Sequence, residues 1–258
     1  MGSVPSTYLI TNYMISAGID IGSRTIKLVI LSENIITFEQ VVDNSFNTME
    51  ICNKLLDGKN YDKITSTGYG RHLFADYYEC DVISEIKAFS LGIRSVFPNV
   101  RTILDIGGQD TKAISLDEQG KVKKFEMNDK CAAGTGRFLE IMAMALRYNL
   151  DQFSTAALSV NEKESISSMC TVFAESEVVS MIGKGYDRNK ISRGIHFSII
   201  NRAINMLKKV NIEDDIAFVG GVANNIAIKV LLSEILGKKI YVPNNPQTIG
   251  AIGCAIYN

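Results

Sequence analysis

The alternation of apolar and polar positions predicts a strand pair near the start of the chain. Ile26, Leu28 and Ile30 recur at every second position, which is the period of a β-strand. The apolar run ISAGIDI at residues 15–21 predicts the preceding strand, and a tight turn separates the two. We therefore expect a strand–turn–strand unit over residues 15–32.

A second unit with the same spacing occurs in the middle of the chain. The stretch ILDIGGQDTK at residues 103–112 matches IDIGSRTIK at residues 19–27, and Asp105 follows Asp20 by 85 residues. The same offset relates the glycines of the two turns and the lysines that follow them. Repetition of one unit at a constant offset predicts an internal duplication.

The two turns contain residues that suit a phosphate ligand. Gly22 allows the backbone to approach a ligand closely, and Ser23 with the neighbouring N–H groups can cradle a phosphate. Asp20, at the strand end, is placed to hold a magnesium-bound water. One such turn could equally be an ordinary hairpin, but two turns facing each other would clamp a polyphosphate and its metal from both sides.

A third glycine turn lies near the end of the chain. Residues 216–219 predict a buried strand, Gly220 and Gly221 a turn, and the residues from Asn224 onward a helix. A strand, a glycine turn and a helix that starts with small residues suit a nucleobase or ribose lying against the backbone.

Residues 189–210 form a long amphipathic helical pattern, with His196 on or beside its apolar face. A core or surface role is favoured for this histidine over a role as a ligand.

Two cysteines precede helical patterns in the second half. Cys131 is followed by a glycine-rich stretch and then by apolar residues at helical spacing, and Cys170 directly precedes another such pattern. A helix start lowers the pKa of a nearby thiol and favours a thiolate that binds something. The alternative is two small buried side chains, because two cysteines do not complete a metal site.

Composition limits the cellular compartment and the partners that we expect for this protein. Five widely spread cysteines argue against a disulfide framework and favour a reducing cytoplasm. The net charge of −1 without a basic block makes nucleic acid an unexpected partner, and no apolar run reaches the roughly 18 residues of a membrane span. Residues 1–13 lack the features of a signal peptide and are expected to be a leader or added residues, with Met14 as a candidate natural start.

From about residue 15 onward, these motifs resemble the actin, sugar kinase and acetate kinase superfamily. The segments NDKCAAGTGRF, CTVFAESEVVS, TGYGRH, DIGGQD and GGVANN are similar to the activator ATPases of 2-hydroxyacyl-CoA dehydratases and to the ATPase subunits of benzoyl-CoA reductase. The resemblance implies a duplicated two-domain α/β fold with nucleotide in the cleft between the domains. It places one domain at residues 14–98 and the other at 99–246, with a helix at 247–258 packed back on the first.

The implied activity is ATP-driven electron transfer in an anaerobic, cytoplasmic homodimer. Cys131 and Cys170 of each chain would hold one 4Fe–4S cluster between the subunits, which supplies the missing thiolates. A ferredoxin or flavodoxin would reduce the cluster, and ATP hydrolysis would drive one low-potential electron to a partner dehydratase or reductase.

The resemblance also assigns residues to the nucleotide. Asp20 and Asp105 would act on magnesium or water. Phosphate contacts would come from Ser23, Arg24, Thr25, Lys27, Gly107, Gly108 and Gln109, and adenosine contacts from Gly220, Gly221, Asn225 and Gln247.

One residue departs from the family pattern. Arg24 stands where the family usually has a small hydroxyl residue, so it changes the turn or adds a phosphate contact.

Two alternatives to this function stay open. A small-molecule kinase of the same fold would leave the paired cysteines unexplained. A non-catalytic dimer joined by zinc on the same four thiolates would leave two intact Asp–Gly turns without a role.

Overall fold

The computed structural model describes residues 14–168, 170–213 and 215–257, so the predicted leader at residues 1–13 lies outside the described residues. Two five-stranded sheets organise the chain. The first contains β1 (Ile15–Ile21), β2 (Thr25–Ser32), β3 (Ile35–Asp43), β4 (Lys63–Gly68) and β5 (Asp81–Val82), in the order β3-β2-β1-β4-β5. The second contains β6 (Thr102–Ile106), β7 (Thr111–Leu116), β8 (Val122–Asn128), β9 (Ile216–Val219) and β10 (Ile240–Tyr241), in the order β10-β9-β6-β7-β8.

The two sheets confirm the internal duplication. In each, an antiparallel hairpin places an aspartate directly opposite a lysine, Asp20 opposite Lys27 and Asp105 opposite Lys112. In each, the first hairpin strand also runs parallel to a later strand, β1 beside β4 and β6 beside β9. The repeated spacing in the sequence therefore reflects a repeated strand arrangement.

Helices connect and cover the sheets. They are α1 (Thr48–Leu56), α2 (Arg71–Ala75), α3 (Glu85–Val96), α4 (Gly136–Ala145), α5 (Leu150–Leu158), α6 (Thr171–Gly183), α7 (Arg188–Val210), α8 (Ile226–Leu236) and α9 (Ile249–Ile256).

The helix predicted from Asn224 begins slightly later. Residues 221–224 form a 3₁₀ turn, and α8 starts at Ile226. Asn225 is the N-cap of α8. Its backbone is extended, so the helix begins only after it, and its side-chain oxygen accepts a 3.0 Å hydrogen bond from the N–H of Ile228.

The core of the second half forms around α7. Ile195, Ile199 and Leu207 are buried in the same cluster as Phe138 of α4 and other residues of the second sheet and its helices. His196 is also fully buried, so of the two favoured roles, core or surface, it has the core one.

The last helix, α9, packs against α3 and the first sheet. Gly18 of β1 is so close that a Cβ atom built there would lie 2.0 Å from the carbonyl oxygen of Ala251. Only a glycine at that position admits the helix backbone. The limits predicted for the two domains stay predictions.

Candidate nucleotide cleft and cysteine sites

A cleft of about 520 Å³ opens where the duplicated hairpins meet. All thirteen residues predicted to handle the nucleotide line it: Asp20, Ser23, Arg24, Thr25, Lys27, Asp105, Gly107, Gly108, Gln109, Gly220, Gly221, Asn225 and Gln247. The fold thus brings together positions that are up to 227 residues apart in the sequence. Their assignment as nucleotide contacts stays a prediction.

The turns at residues 22–25 and 107–110, which we predict to bind phosphate and call the phosphate turns, have the same backbone hydrogen bond and face each other. The N–H of Gly22 donates to the carbonyl of Thr25 over 3.0 Å, and the N–H of Gly107 donates to the carbonyl of Asp110 over 2.9 Å. A Cβ atom on Gly108 would lie 2.5 Å from Cγ of Arg24, so the arginine of the first turn covers the second. This is the facing arrangement that a polyphosphate clamp needs.

Each aspartate also needs a glycine beside it. Gly68, at the end of β4, and Gly220, just after β9, have φ values of +88° and +83°. A Cβ atom on Gly68 would lie 2.5 Å from Oδ1 of Asp20, and one on Gly220 would lie 2.3 Å from Oδ1 of Asp105. Gly68 was not among the predicted site residues, although its place in the TGYG motif mirrors the Gly220–Gly221 turn.

The second hairpin carries excess negative charge. Nζ of the buried Lys112 lies 3.1 Å from Oδ2 of Asp105, 2.5 Å from Oδ2 of Asp110 and 2.7 Å from Oε2 of Glu85. One ammonium therefore faces three carboxylates. In the first hairpin Lys27 pairs with Asp20 over 3.2 Å. Asp110 was missed at the sequence level, because the duplication aligns it with Thr25.

Burial shifts the titration of this cluster. It raises the pKa of Asp105 to about 6, against the opposing effect of Lys112, and it also raises the pKa of Glu85. Burial alone would lower the pKa of Lys112, but the carboxylates of Asp105, Glu85 and Asp110 raise it above its ordinary value. The lysine therefore stays protonated, while the carboxyl of Asp105 binds a proton more readily than an exposed aspartate does.

Both predicted cluster cysteines are exposed and free, so the alternative of two buried side chains is wrong. Cys170 is the N-cap of α6, as expected for a cysteine that opens a helix. Cys131 lies five residues before α4, which begins at Gly136, and the predicted glycine turn lies between them. Within the described part of the chain, no group of three or more histidine, cysteine or acidic side chains could hold a metal ion by itself.

The other three cysteines are core residues. Cys52 and Cys254 are buried and Cys80 is half-buried. Burial raises the pKa of Cys52 to about 11 and also raises the pKa of the thiols of Cys80 and Cys254. These thiols are therefore poor nucleophiles and poor ligands.

A protein-family model described as the BadF/BadG/BcrA/BcrD ATPase family matches residues 17–258. The chain belongs to this ATPase family. Among its relatives is the activator of lactoyl-CoA dehydratase from Anaerotignum propionicum, 42% identical over 253 residues that cover 95% of this chain and 97% of the relative.

Two solved structures of the family have the same fold. The activator of 2-hydroxyisocaproyl-CoA dehydratase from Clostridium difficile, determined with bound ADPNP, gives a TM-score of 0.86 at 37% identity and covers 95% of this chain and 94% of its own. Component A of (R)-2-hydroxyglutaryl-CoA dehydratase from Acidaminococcus fermentans also gives 0.86, at 36% identity, covering 95% and 97%. The predicted actin-like, sugar kinase-like fold is confirmed.

At the far end of the cleft, Asn225 of this family member supports the wall rather than pointing its amide at a ligand. Its Oδ1 accepts hydrogen bonds from Oγ of Ser154 and from the N–H of Ile228, and its Nδ2 lies 3.1 Å from Nε2 of His196. Nδ1 of His196 lies 2.8 Å from the carbonyl of Ser192, and burial lowers the pKa of this histidine to about 4. A neutral imidazole thus holds the amide, and a contact from Asn225 to adenosine would come from its backbone.

The position where this chain departs from the family pattern bridges the cleft. Nη2 of Arg24 lies 3.1 Å and 3.2 Å from the two carboxylate oxygens of Glu140 on α4. Glu140 also pairs with Arg137 of the same helix over 2.9 Å. Arg24 therefore joins the first phosphate turn to the helix that follows the Cys131 loop.

No helix among residues 14–168, 170–213 and 215–257 has the length and apolarity to cross a membrane.

Proposed function

We propose that this protein is an ATP-hydrolysing activator that passes one low-potential electron to a partner 2-hydroxyacyl-CoA dehydratase or a related reductase. One observation carries the proposal: the two duplicated turns line one cleft, and two exposed, free cysteines lie in the same half of the chain as the second turn. The relatives named as dehydratase activators support it.

The cleft residues provide what nucleotide hydrolysis requires. The N–H groups of the facing turns and the ammonium of Lys27 would bind the phosphates. The carboxylates of Asp20 and Asp105 would orient the attacking water and the nucleotide's magnesium ion. The ADPNP complex of the Clostridium difficile relative supports nucleotide binding in this fold.

The residues present suit a magnesium ion delivered with the nucleotide. Magnesium in nucleotide sites is usually held by one or two carboxylates together with phosphate oxygens. Asp105, Asp110 and Glu85 converge on Lys112 and leave net negative charge in the cleft. Part of the coordination would therefore come from ATP itself.

The cysteines suit a cluster shared between two copies of the chain. Cys131 and Cys170 are soft thiol donors, both accessible, and two per chain make four across a two-fold axis. Val172 and Phe173, two and three residues after Cys170, expose 67% and 68% of their surface, which suits burial against a second copy. A 4Fe–4S cluster held there would supply one-electron redox chemistry at low potential.

The partners follow from this chemistry. A homodimer would hold the cluster, a ferredoxin or flavodoxin would deliver the electron, and the dehydratase or reductase component would receive it. We place the protein in the cytoplasm, where thiols stay reduced.

The test is the metal content of protein purified without oxygen. We expect about four iron and four sulfide per dimer with a visible iron–sulfur spectrum, lost in Cys131→Ala and in Cys170→Ala. Cys80→Ala is the matched control, because Cys80 lies apart from the cleft and beside Ser66, and this variant should keep the full content.

Two results would contradict the proposal. Zinc at two thiolates per chain, or a folded dimer without any metal, would remove the electron-transfer function. ATP turnover that required a small-molecule acceptor, with transfer of the phosphoryl group to it, would favour the kinase alternative instead.

A further inference from the structure

Three consecutive carbonyls in the loop that carries Cys131 accept hydrogen bonds. The carbonyl of Cys131 accepts a 2.9 Å hydrogen bond from the amide of Asn128, and the carbonyl of Ala132 accepts from both the N–H and the hydroxyl of Thr135. The carbonyl of Ala133 accepts from Arg202 of α7 over 3.4 Å. The position of this cysteine therefore depends on which of these hydrogen bonds are made.

The next carbonyl connects this loop to the nucleotide cleft. Oγ1 of the buried Thr111 donates a 3.1 Å hydrogen bond to the carbonyl of Gly134. Thr111 is the first residue of β7, directly after the second phosphate turn. A side chain that begins where the turn ends thus holds the third residue beyond Cys131.

Two backbone hydrogen bonds strengthen the connection. The N–H of Gly136 donates to the carbonyl of Gly107, and the N–H of Arg137 donates to the carbonyl of Gly108, both over 2.9 Å. The phosphate turn therefore caps the start of α4 with its own carbonyls. A change in the orientation of these peptides on phosphate binding would reach α4 and the loop before it.

Cys170 is supported differently. The N–H groups of Ser167 and Ser168 donate to the carboxylate of Glu177, each over 2.9 Å, and the hydroxyl of Ser167 donates to the same group. Glu177 belongs to α6, the helix that Cys170 itself caps. These contacts anchor the Cys170 loop to its own helix.

The duplication shows what the hydroxyl of Thr111 adds. Its counterpart in the first hairpin is Ile26, which pairs with Ile21 as Thr111 pairs with Ile106. Ile26 is fully buried and Thr111 nearly so. The hairpin therefore accommodates an apolar β-branched side chain at this position. The hydroxyl of Thr111 adds the hydrogen bond to Gly134.

We propose that Thr111 is a positioning residue that couples the second phosphate turn to Cys131, so that nucleotide binding orders Cys131 and leaves Cys170 unchanged. This inference rests on the proposed nucleotide site. It identifies the contact through which that site would affect Cys131, one of the two proposed cluster ligands.

The experiment measures thiol alkylation in the cluster-free, full-length protein. Iodoacetamide modification of Cys131 and Cys170 is followed by mass spectrometry with and without MgADP, whose binding is measured separately by calorimetry. We expect MgADP to slow the alkylation of Cys131 by about fivefold, the factor that one ordinary hydrogen bond represents. The rate at Cys170 should change by less than about twofold.

Three variants test the route. Thr111→Val should bind MgADP as the wild type does yet lose the protection of Cys131, while Thr111→Ser should retain it. Thr67→Val is the matched control, because this buried threonine donates a 3.0 Å hydrogen bond to the carbonyl of Ile83 in the other half of the molecule. It should keep the full protection.

The outcomes separate the inference from the proposed function. Equal protection of both cysteines in the wild type, or protection that survives in Thr111→Val, would overturn the inference and leave the nucleotide site intact. Failure of the wild type to bind MgADP would overturn both.

Discussion

The two duplicated hairpins have the same backbone but different charge. In the first, Lys27 balances Asp20, and its side chain keeps some contact with solvent. In the second, Lys112 is almost completely buried and faces Asp105, Asp110 and Glu85. The two copies therefore share one backbone geometry, and the second copy carries more negative charge than the first.

The surroundings of the hairpins explain the difference. Asp110 occupies the position of Thr25 in the first copy, and Glu85 reaches Lys112 from the start of α3. The second turn also contacts α4 and, through it, the loop of Cys131. The copy with excess charge is thus also the one connected to the proposed cluster.

The largest expected effect comes from removing the buried lysine. Lys112→Met leaves three carboxylates without a counter-charge, and we expect the free energy of unfolding to fall by about 3–5 kcal/mol. Lys27→Met, the matched control, should cost roughly 2 kcal/mol, the value of a hydrogen bond between charged groups. Urea unfolding without nucleotide or magnesium measures both. Equal losses in the two variants would show that the hairpins are energetically equivalent.

The next prediction concerns the dependence of stability on pH, and it arises at His196 rather than at the hairpins. Burial lowers the pKa of this histidine from 6.5 to about 4, so the unfolded chain binds the proton more readily. The contribution of His196 to the free energy of unfolding should therefore decrease by about 3 kcal/mol as the pH falls from about 6.5 to 4, while the raised pKa of Asp105 acts in the opposite direction below about pH 6.

The second histidine of the chain provides the control for this prediction. His196→Gln should remove the histidine's contribution, so that this variant loses less stability in acid than the wild type, while His72→Gln should leave the dependence on pH unchanged, because His72 is exposed. An unchanged slope in His196→Gln would assign the acid sensitivity to another group.

The binding of magnesium should distinguish the two aspartates. Asp105 must lose its proton to act on magnesium, and burial raises its pKa to about 6. Below that pH, we expect the magnesium affinity of the ADP complex to fall by up to about tenfold per pH unit. Asp105→Asn should remove this component and Asp20→Asn should keep it. The titration of ADP itself is common to all three proteins, so a slope that persists in Asp105→Asn would contradict the assignment.

Patterns in the sequence predicted the duplicated hairpins and the third glycine turn, whereas the family resemblance supplied the full set of nucleotide residues. They succeeded because period-two alternation and a constant offset depend only on local structure. Glu85 is the first residue of α3, and only the placement of that helix brings its carboxylate to Lys112. Spacing likewise could not show that the amide of Asn225 faces Ser154 and His196, because that contact joins three separate helices.

The cysteines show the same limit. Helical periodicity located α4 and α6 but left open whether Cys131 and Cys170 are buried, since exposure depends on what packs above each loop. The contact of Thr111 with Gly134 spans 23 residues and follows from the sheet, not from any local pattern.

The smallest expected effect concerns Arg24, which distinguishes the first turn from the second and from the family pattern. The side chains of Arg24 and Glu140 are 50% and 27% exposed, and such ion pairs contribute about 0–1 kcal/mol. Arg24→Ser should therefore change the free energy of unfolding by less than about 1 kcal/mol.

The kinetics of MgADP release separate the two roles open to Arg24. If the ion pair closes the cleft, Arg24→Ser and Glu140→Gln should each speed release by up to about fivefold, and the double variant should add little because both changes break one contact. Stopped-flow release at low and high ionic strength measures this, and salt should reproduce the effect in the wild type. A large loss of affinity in Arg24→Ser alone, with Glu140→Gln unchanged, would instead show that the guanidinium contacts phosphate directly.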